Sequence, residues 1–369
     1  MNNSEVIHGG DVERVCREYG FSPAEVLDYS ANINPVPLPK GMRKYLATNL
    51  DTITRYPDRD YHQLRNALSH YTGYAPEWIM VGNGATELIY LAARAFELDK
   101  VLIPAPSFAD FTRAFTTQGC KVDLFPLKEE AGFRLDVENF ITAMGKGYEA
   151  VVLCNPNNPT GQLLSKTEIS EIVSQAKQQG TIVILDETFI EFVDDISQAC
   201  MLGELGKFSN LLILRAFTKF FGVPGLRLGY CLANPELLHK LRALQEPWSV
   251  NALASLLGPW LLEQHEYIAK TRQWITSERP FFLACLKEVE HLKVYDCQAN
   301  FVLCKLLTKG WNVKALQKSL EGIGIMIRDA SSFPYLDEKF FRLAIKDRAS
   351  NLQLAGELDE ILALYEIEE

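Results

Sequence analysis

The stretch NLLILRAFTKFFGVPGLRLGYCLA, residues 210–233, holds two apolar runs, 210–217 and 226–233, joined by a loop that Gly222, Pro224 and Gly225 keep compact. Each run is short and almost continuously hydrophobic, the pattern of a strand covered on both faces. Five more such runs precede it: WIMVG (78–82), KVLIP (100–104), KVDLFPL (121–127), AVVLCNP (150–156) and TIVILDE (181–187). Helical patterns lie between them: ATELIYLAARAF (85–96), FADFTRAFTTQG (108–119) and SKTEISEIVSQAKQQG (165–180). The last opens with a Ser-x-x-Glu capping box and closes on glycine. Buried strands alternating with amphipathic helices predict an α/β fold whose large domain carries a mostly parallel seven-stranded sheet with helices on both faces.

The chain has 369 residues with 37 basic and 47 acidic side chains, a formal net charge of −10. At roughly 150 residues per domain the length suggests about two. Nucleic-acid and acidic-membrane surfaces need clustered Lys and Arg, so neither partner is expected, and an anionic ligand must be caught by a few placed groups. No run approaches the ~18 apolar residues of a membrane span. The polar start MNNSEVIHGGDVERV lacks the apolar segment of a secretory signal. Eight cysteines are scattered singly and the histidines are dispersed, so no metal is expected and the thiols read as reduced and cytoplasmic. Beyond about Trp260 the pattern changes to that of a smaller α+β unit. The expected division is an arm over 1–40 that contributes to the site and the small domain, a large domain over 41–260, and a small domain over 261–369. Ligands of such an architecture sit at the carboxyl ends of the large-domain strands, near the domain interface.

Lys219 directly follows the 210–217 run. A lone lysine is ordinarily a solvated surface residue. Here Phe217, Phe220 and Phe221 flank it, an apolar setting that lowers an ammonium pKa and makes the amine a competent nucleophile toward a carbonyl. Asp186, at the end of TIVILDE, reads either as a cap after a strand or as the acid that keeps a pyridine nitrogen protonated. GNGATEL (82–88) runs from strand into helix, so the amides of Gly84, Ala85 and Thr86 could hold a phosphate, although the spacing is not GxGxxG. NPNNPTG (155–161) alone reads as a structured turn.

Taken together, GNGATE, NPNNPTG, the Asp-Glu that closes ILDE, the Thr218-Lys219 pair and GLRLGY resemble fold-type I pyridoxal-phosphate enzymes of the histidinol-phosphate aminotransferase branch. The order and spacing match over nearly the whole chain. The resemblance implies the PLP-dependent transferase fold, with pyridoxal 5'-phosphate as cofactor. It further implies that Lys219 carries the cofactor, Asp186 pairs with its pyridine nitrogen, and Asn158 bonds its phenolic oxygen. Gly84, Ala85, Thr86, Thr218 and Arg227 match the phosphate cup, and Phe108 matches the aromatic residue that stacks on the ring. Tyr56, in RYPD, matches a tyrosine that reaches the cofactor phosphate of the neighbouring subunit, which implies a homodimer.

The segment His8-Gly9-Gly10, SANINP (30–35), EPWSVN (246–251), Arg328 in MIRDASSFPYLD and Arg342 in FFRLAIK are similar to the threonine-phosphate decarboxylases of cobalamin biosynthesis. This implies decarboxylation of O-phospho-L-threonine by Lys219 and Asp186, with His8, Gly9, Asn32, Asn158, Arg328 and Arg342 binding the substrate. Two arginines can grip carboxylate and phosphate bidentately. The alternative, histidinol-phosphate aminotransferase, shares every cofactor residue. Three positions depart from the branch pattern. Phe189 stands where a tyrosine is frequent and removes one hydrogen bond to the phenolic oxygen, as in the decarboxylases. Ala216 stands where a serine is common. Asp11 follows HGG where Asn is usual, an unfavourable charge beside a phosphate unless it points away. Choice between phosphothreonine and phosphoserine is not written in the motifs, since one methyl is worth only ~1–3 kcal/mol.

Overall fold

The computed structural model describes residues 9–308 and 310–364. Seven strands form one sheet in the order Ile79–Gly82, Gly229–Ala233, Leu211–Ala216, Ile182–Asp186, Ala150–Cys154, Lys100–Ala105, Lys121–Pro126. All neighbours pair in parallel except Gly229–Ala233, which runs antiparallel to both of its neighbours. Alternation along these apolar strands divides the core into two layers. Val183, Leu185, Leu211 and Ile213 enter one layer, while Ile184, Leu212 and Leu214 enter the other. Helix Lys166–Gln178 covers the first face with Ile169, Ile172, Val173 and Ala176. Helices Gly84–Ala95 and Ala109–Thr116 cover the second with Leu88, Leu91, Phe111 and Phe115.

The expected strands and helices form, with ends that shift by a few residues for local reasons. The capping box is present in full: Ser165 accepts from the Glu168 amide, and the Glu168 carboxylate accepts from the Ser165 amide at 2.8 Å. The 226–233 run gives its first residues to a 3-10 turn at Pro224–Leu226, after which Arg227 adopts a left-handed φ of 55°.

The later part of the chain forms a four-stranded antiparallel sheet in the order Arg328–Asp329, Phe340–Ala344, Phe301–Leu306, Leu292–Val294. Helices His265–Lys287, Val313–Glu321 and Arg348–Leu364 accompany it. Around Trp260 the chain forms two helices, Ala252–Leu262 and His265–Lys287, and a boundary at 260 would cut the first of them. Ala252–Leu262 packs on the large unit: a Cβ at Gly258 would lie 2.5 Å from Leu64 Cδ1 and 2.9 Å from Leu228 Cδ2, so only glycine permits that approach. The N-terminal arm joins the small sheet's side of the molecule. Leu27–Asp28 pairs in parallel with Ile325–Met326, and Arg14 on helix Val12–Tyr19 holds Glu321 at 2.5 Å. Glu129, just after the Lys121–Pro126 strand, receives Lys293 at 2.8 Å, Lys305 at 2.7 Å and the Tyr295 hydroxyl at 2.6 Å. Among the described residues no helix is long and apolar enough to cross a membrane.

Candidate active site

Strand register brings one edge of the large sheet to a single point. Gly82 lies opposite Gly229, Gly229 opposite Ala216, Asp186 beside Leu214, and Cys154 opposite Asp186. Above this edge opens a cleft lined by Ala85, Thr86, Phe108, Asn158, Asp186, Thr218, Lys219 and Arg227. Gly9, Ser30, Asn32, Arg328 and Arg342 close its other side. Almost all of the expected site residues thus converge, from ten separate stretches of the chain.

Lys219 sits in the one-turn helix Phe217–Phe220, which leaves strand Leu211–Ala216 without a gap. Its aromatic neighbours anchor the turn from below: Phe217 stacks on Phe221 at 5.2 Å, and Phe220 meets Phe192 at 5.4 Å and Phe221 at 5.4 Å. The arm caps the same turn, with Asn34 donating through Nδ2 to the Phe220 carbonyl at 2.7 Å and through its amide to the Lys219 carbonyl at 3.2 Å. Burial, then the nearby Arg342 and Arg227 guanidinium groups, push the Lys219 amine down to about 8. A neutral amine is therefore accessible near neutral pH, as a carbonyl-directed nucleophile requires.

Asp186 is buried, and burial pushes its carboxyl up to about 6 against the opposing hydrogen bonds from Thr188. The Thr188 amide donates to Asp186 Oδ1 at 2.8 Å. A buried carboxylate with only neutral donors is costly, and an approaching cation relieves that cost. Behind the cleft floor, Arg215 pairs with Glu187 at 2.7 Å and Glu191 at 2.8 Å, and Arg272 reaches Glu191 at 2.8 Å. This buried ion cluster flanks Asp186 and Ala216 in the chain and fixes two strand ends. Cys154 also lines the cleft, but burial and the neighbouring Asp186 hold its thiol well above the usual range. It stays a neutral wall.

Gly84 opens helix Gly84–Ala95 with φ +77°, and a Cβ there would lie 2.6 Å from Arg227 Nη2. A Cβ at Gly229 would lie 2.5 Å from the Ala85 amide nitrogen. The two glycines let a helix N-terminus, its free amides and one guanidinium crowd around a small space, the donor set of a phosphate cradle. Lys219, Asp186 and this cradle together fit a pyridine carrying an aldehyde and a phosphate.

At the far side, Arg342 is buried and donates to neutral oxygens, Asn158 Oδ1 at 2.6 Å and the Ser30 carbonyl at 2.7 Å. Its Nε has no partner among the described residues. Burial and Arg328 push its guanidinium down to about 9. Arg328 donates to the Asp329 carbonyl at 2.7 Å and to Ser332 Oγ at 3.1 Å. Two guanidinium groups in one cleft are the donor set for a carboxylate or phosphate. Because Arg342 occupies Asn158 Oδ1, the Asn158 amide group is the end left to face the cleft.

Some expectations fall elsewhere. Tyr56 is outside the cleft lining, 75% exposed and stacked on Trp248 at 4.4 Å. His8 lies outside the described residues. Asp11 points away from the cleft: its side chain caps helix Val12–Tyr19 by accepting from the Arg14 amide at 3.2 Å. Ala216 and Phe189 line the cleft without a hydroxyl, Phe189 meeting Phe301 edge-on at 4.9 Å. Thr188, Ser30 and Phe333 were not singled out from the sequence yet line the cleft. Ser30 and Phe333 lay within quoted motifs.

Residues 24–358 match the family model described as aminotransferase class I and II. A protein of Caldanaerobacter subterraneus provisionally named a threonine-phosphate decarboxylase is 41% identical over 361 residues, covering 97% of this chain and 94% of its own. The threonine-phosphate decarboxylase of Salmonella typhimurium is 35% identical over 356 residues, covering 96% of each. The solved histidinol-phosphate aminotransferase from Clostridium acetobutylicum superposes with a TM-score of 0.85 at 34% identity, covering 91% of this chain and 99% of its own. With its doubly covered sheet, its half-buried lysine beside a strand end and this match over most of its length, the chain belongs to the class I and II aminotransferase family.

Proposed function

We propose that this chain is a pyridoxal-phosphate-dependent carboxy-lyase that converts O-phospho-L-threonine into (R)-1-amino-2-propanol O-phosphate and carbon dioxide, a step of cobalamin biosynthesis. The observation that carries this reading is the pairing, in one cleft, of a half-buried lysine and a buried aspartate with two buried arginines, the groups that a ligand bearing two anionic groups needs. The relatives named threonine-phosphate decarboxylase, alike over nearly their full length, support it.

When bound, pyridoxal phosphate supplies an electron sink for the bond electrons that the departing carboxylate leaves behind. Its phosphate is held by the amides of Gly84, Ala85 and Thr86 with Thr218 and Arg227, its ring nitrogen by Asp186, its phenolic oxygen by Asn158, and its ring face by Phe108. Lys219 Nζ would hold its aldehyde carbon. Arg328, Arg342, Asn32, Gly9 and His8 grip the substrate phosphate and carboxylate, and so decide which bond at Cα is aligned for cleavage. Lys219 Nζ, with a pKa near neutrality, then delivers a proton to Cα. One proton is consumed for each carbon dioxide released. Exposed Tyr56 supports a homodimer in which it completes the partner's phosphate site. The reading places the enzyme in the cytoplasm.

The decisive assay is carbon dioxide release from O-phospho-L-threonine without 2-oxoglutarate. Release at a rate independent of added keto acid is expected. Turnover that depends on the keto acid would assign the chain to the aminotransferases instead. A second prediction concerns loading of the cofactor-free protein. The reactive form is the neutral Lys219 amine, so uptake of pyridoxal 5'-phosphate should speed up about tenfold per pH unit below pH 8 and level off above it. A rate that is flat between pH 6 and 8 in stopped-flow absorbance would contradict this.

A further inference from the structure

The substrate side of the cleft is fastened at Ser30, the first residue of SANINP, to which the sequence assigned no role. Its carbonyl accepts Arg342 Nη2 at 2.7 Å. Its hydroxyl oxygen accepts the Gly10 amide at 2.7 Å. Gly9 lies so close above it that a methyl there would run into the Ser30 carbonyl. Asp28 explains how the hydroxyl is aimed: Asp28 Oδ1 accepts the Ser30 hydroxyl at 2.5 Å and the Ser30 amide at 2.8 Å. A hydroxyl has one proton. Committing it to the Asp28 carboxylate leaves only lone pairs for the Gly10 amide. The preceding residue is stitched on both sides, since the Tyr29 amide donates to Met326 and the Tyr29 carbonyl accepts from Ala344. Ser30 is thus a rigid peg, with the arm on its side chain and the substrate-gripping arginine on its backbone.

We infer that Ser30, aimed by Asp28, is a positioning residue that fastens the Gly9–Gly10 arm over Arg342 and thereby sets the affinity for the anionic substrate. This rests on reading the cleft as a phosphothreonine site. The hydrogen bonds of Ser30 run to Gly10, Asp28 and Arg342 and none to the cofactor cradle or Lys219, so its loss should act on substrate binding and not on the chemical step.

The test uses the full-length, cofactor-loaded protein. Ser30→Ala keeps both backbone contacts and removes only the hydroxyl. Its KM for O-phospho-L-threonine should rise about tenfold, the size of one hydrogen bond, with kcat within about twofold and the cofactor absorbance band unchanged. Asp28→Ala, which releases the Ser30 hydroxyl from its aim, should raise KM through the same loosening, so the double variant with Ser30→Ala should be no worse than about the larger single effect. Amide hydrogen exchange at Gly10, read on ligand-free protein, should be protected in the parent and fast in Ser30→Ala. An unchanged KM, KM factors that multiply in the double variant, a lost cofactor band, or equal Gly10 protection in both proteins would each overturn the inference. A parent protein that releases no carbon dioxide, yet shows the Ser30-dependent Gly10 protection, would sink the functional reading alone and leave the fastening in place.

Discussion

Lys219→Ala should stop carbon dioxide release from O-phospho-L-threonine, lowering the rate by about 10⁴-fold or more, because it removes both the group that binds the cofactor carbonyl and the proton donor to Cα. The fold should not suffer. The Lys219 amine is held down to about 8 by burial and by Arg342 and Arg227, so its charged form is disfavoured in the folded chain. Between about pH 8 and 10.5 the unfolded chain binds more protons at this site than the folded one, and stability contributed by this group rises with pH through that window. Below it the buried ammonium is a liability that alanine removes. The expected result at pH 7 is a cofactor-free variant whose melting temperature is no lower than the parent's, with no absorbance band after incubation with pyridoxal phosphate. A variant that retains turnover above a hundredth of the parent's would remove Lys219 from the mechanism.

Asp186→Asn should lower decarboxylation by roughly 10²- to 10³-fold, the range for a preorganised group that stabilises charge in a dry site. Asn keeps the acceptor for the Thr188 amide, so the loop should hold. The stability effect has the opposite sign to the activity effect. Burial holds the Asp186 carboxyl up at about 6 instead of 3.8, so the folded chain binds the extra proton between those values. Its stability from this group falls as pH rises from about 4 through 6. At pH 7 the buried carboxylate costs up to about 3 kcal/mol in the cofactor-free protein, which Asn relieves. Binding the cationic ring nitrogen needs the carboxylate, so cofactor affinity of the parent should weaken about tenfold per pH unit below 6, and that of Asp186→Asn should not. Calorimetric melting and cofactor titrations between pH 5 and 8 check both. Equal pH dependence in the two proteins would dissociate Asp186 from the ring nitrogen.

The two variants share a logic: a site residue that weakens the empty protein and is needed when the site is filled. Lys219, Asp186 and Arg342 all have their charged forms disfavoured by desolvation in the cleft. A cofactor with a cationic nitrogen and a substrate with two anionic groups supply the missing counter-charges. The net charge of −10 bears on none of this, because groups buried in a cleft respond mainly to the few charges within it.

Strand and helix identity was readable from the chain because buried parallel strands are continuous apolar runs, and because helix ends are written in local chemistry such as the Ser165 and Glu168 box. The chemistry-bearing residues were readable too, since Lys219, Asp186, Asn158 and the Gly84 loop each directly follow such a run, where strand ends must face a common edge. Linear order could not show which distant segments meet. The seating of Arg342 between Asn158 and Ser30, 184 and 312 residues away, depends on pairing across sheets. The burial that moves Lys219 and Asp186 toward neutrality depends on packing from both units. Whether Asp11 faces the phosphate side or caps its own helix depended on a backbone turn that its residue type permits but does not impose. Local pattern sets what each segment becomes, because secondary structure is a short-range property. Desolvation, charge proximity and the aim of a hydroxyl arise only when segments far apart in the chain are brought within a few ångströms.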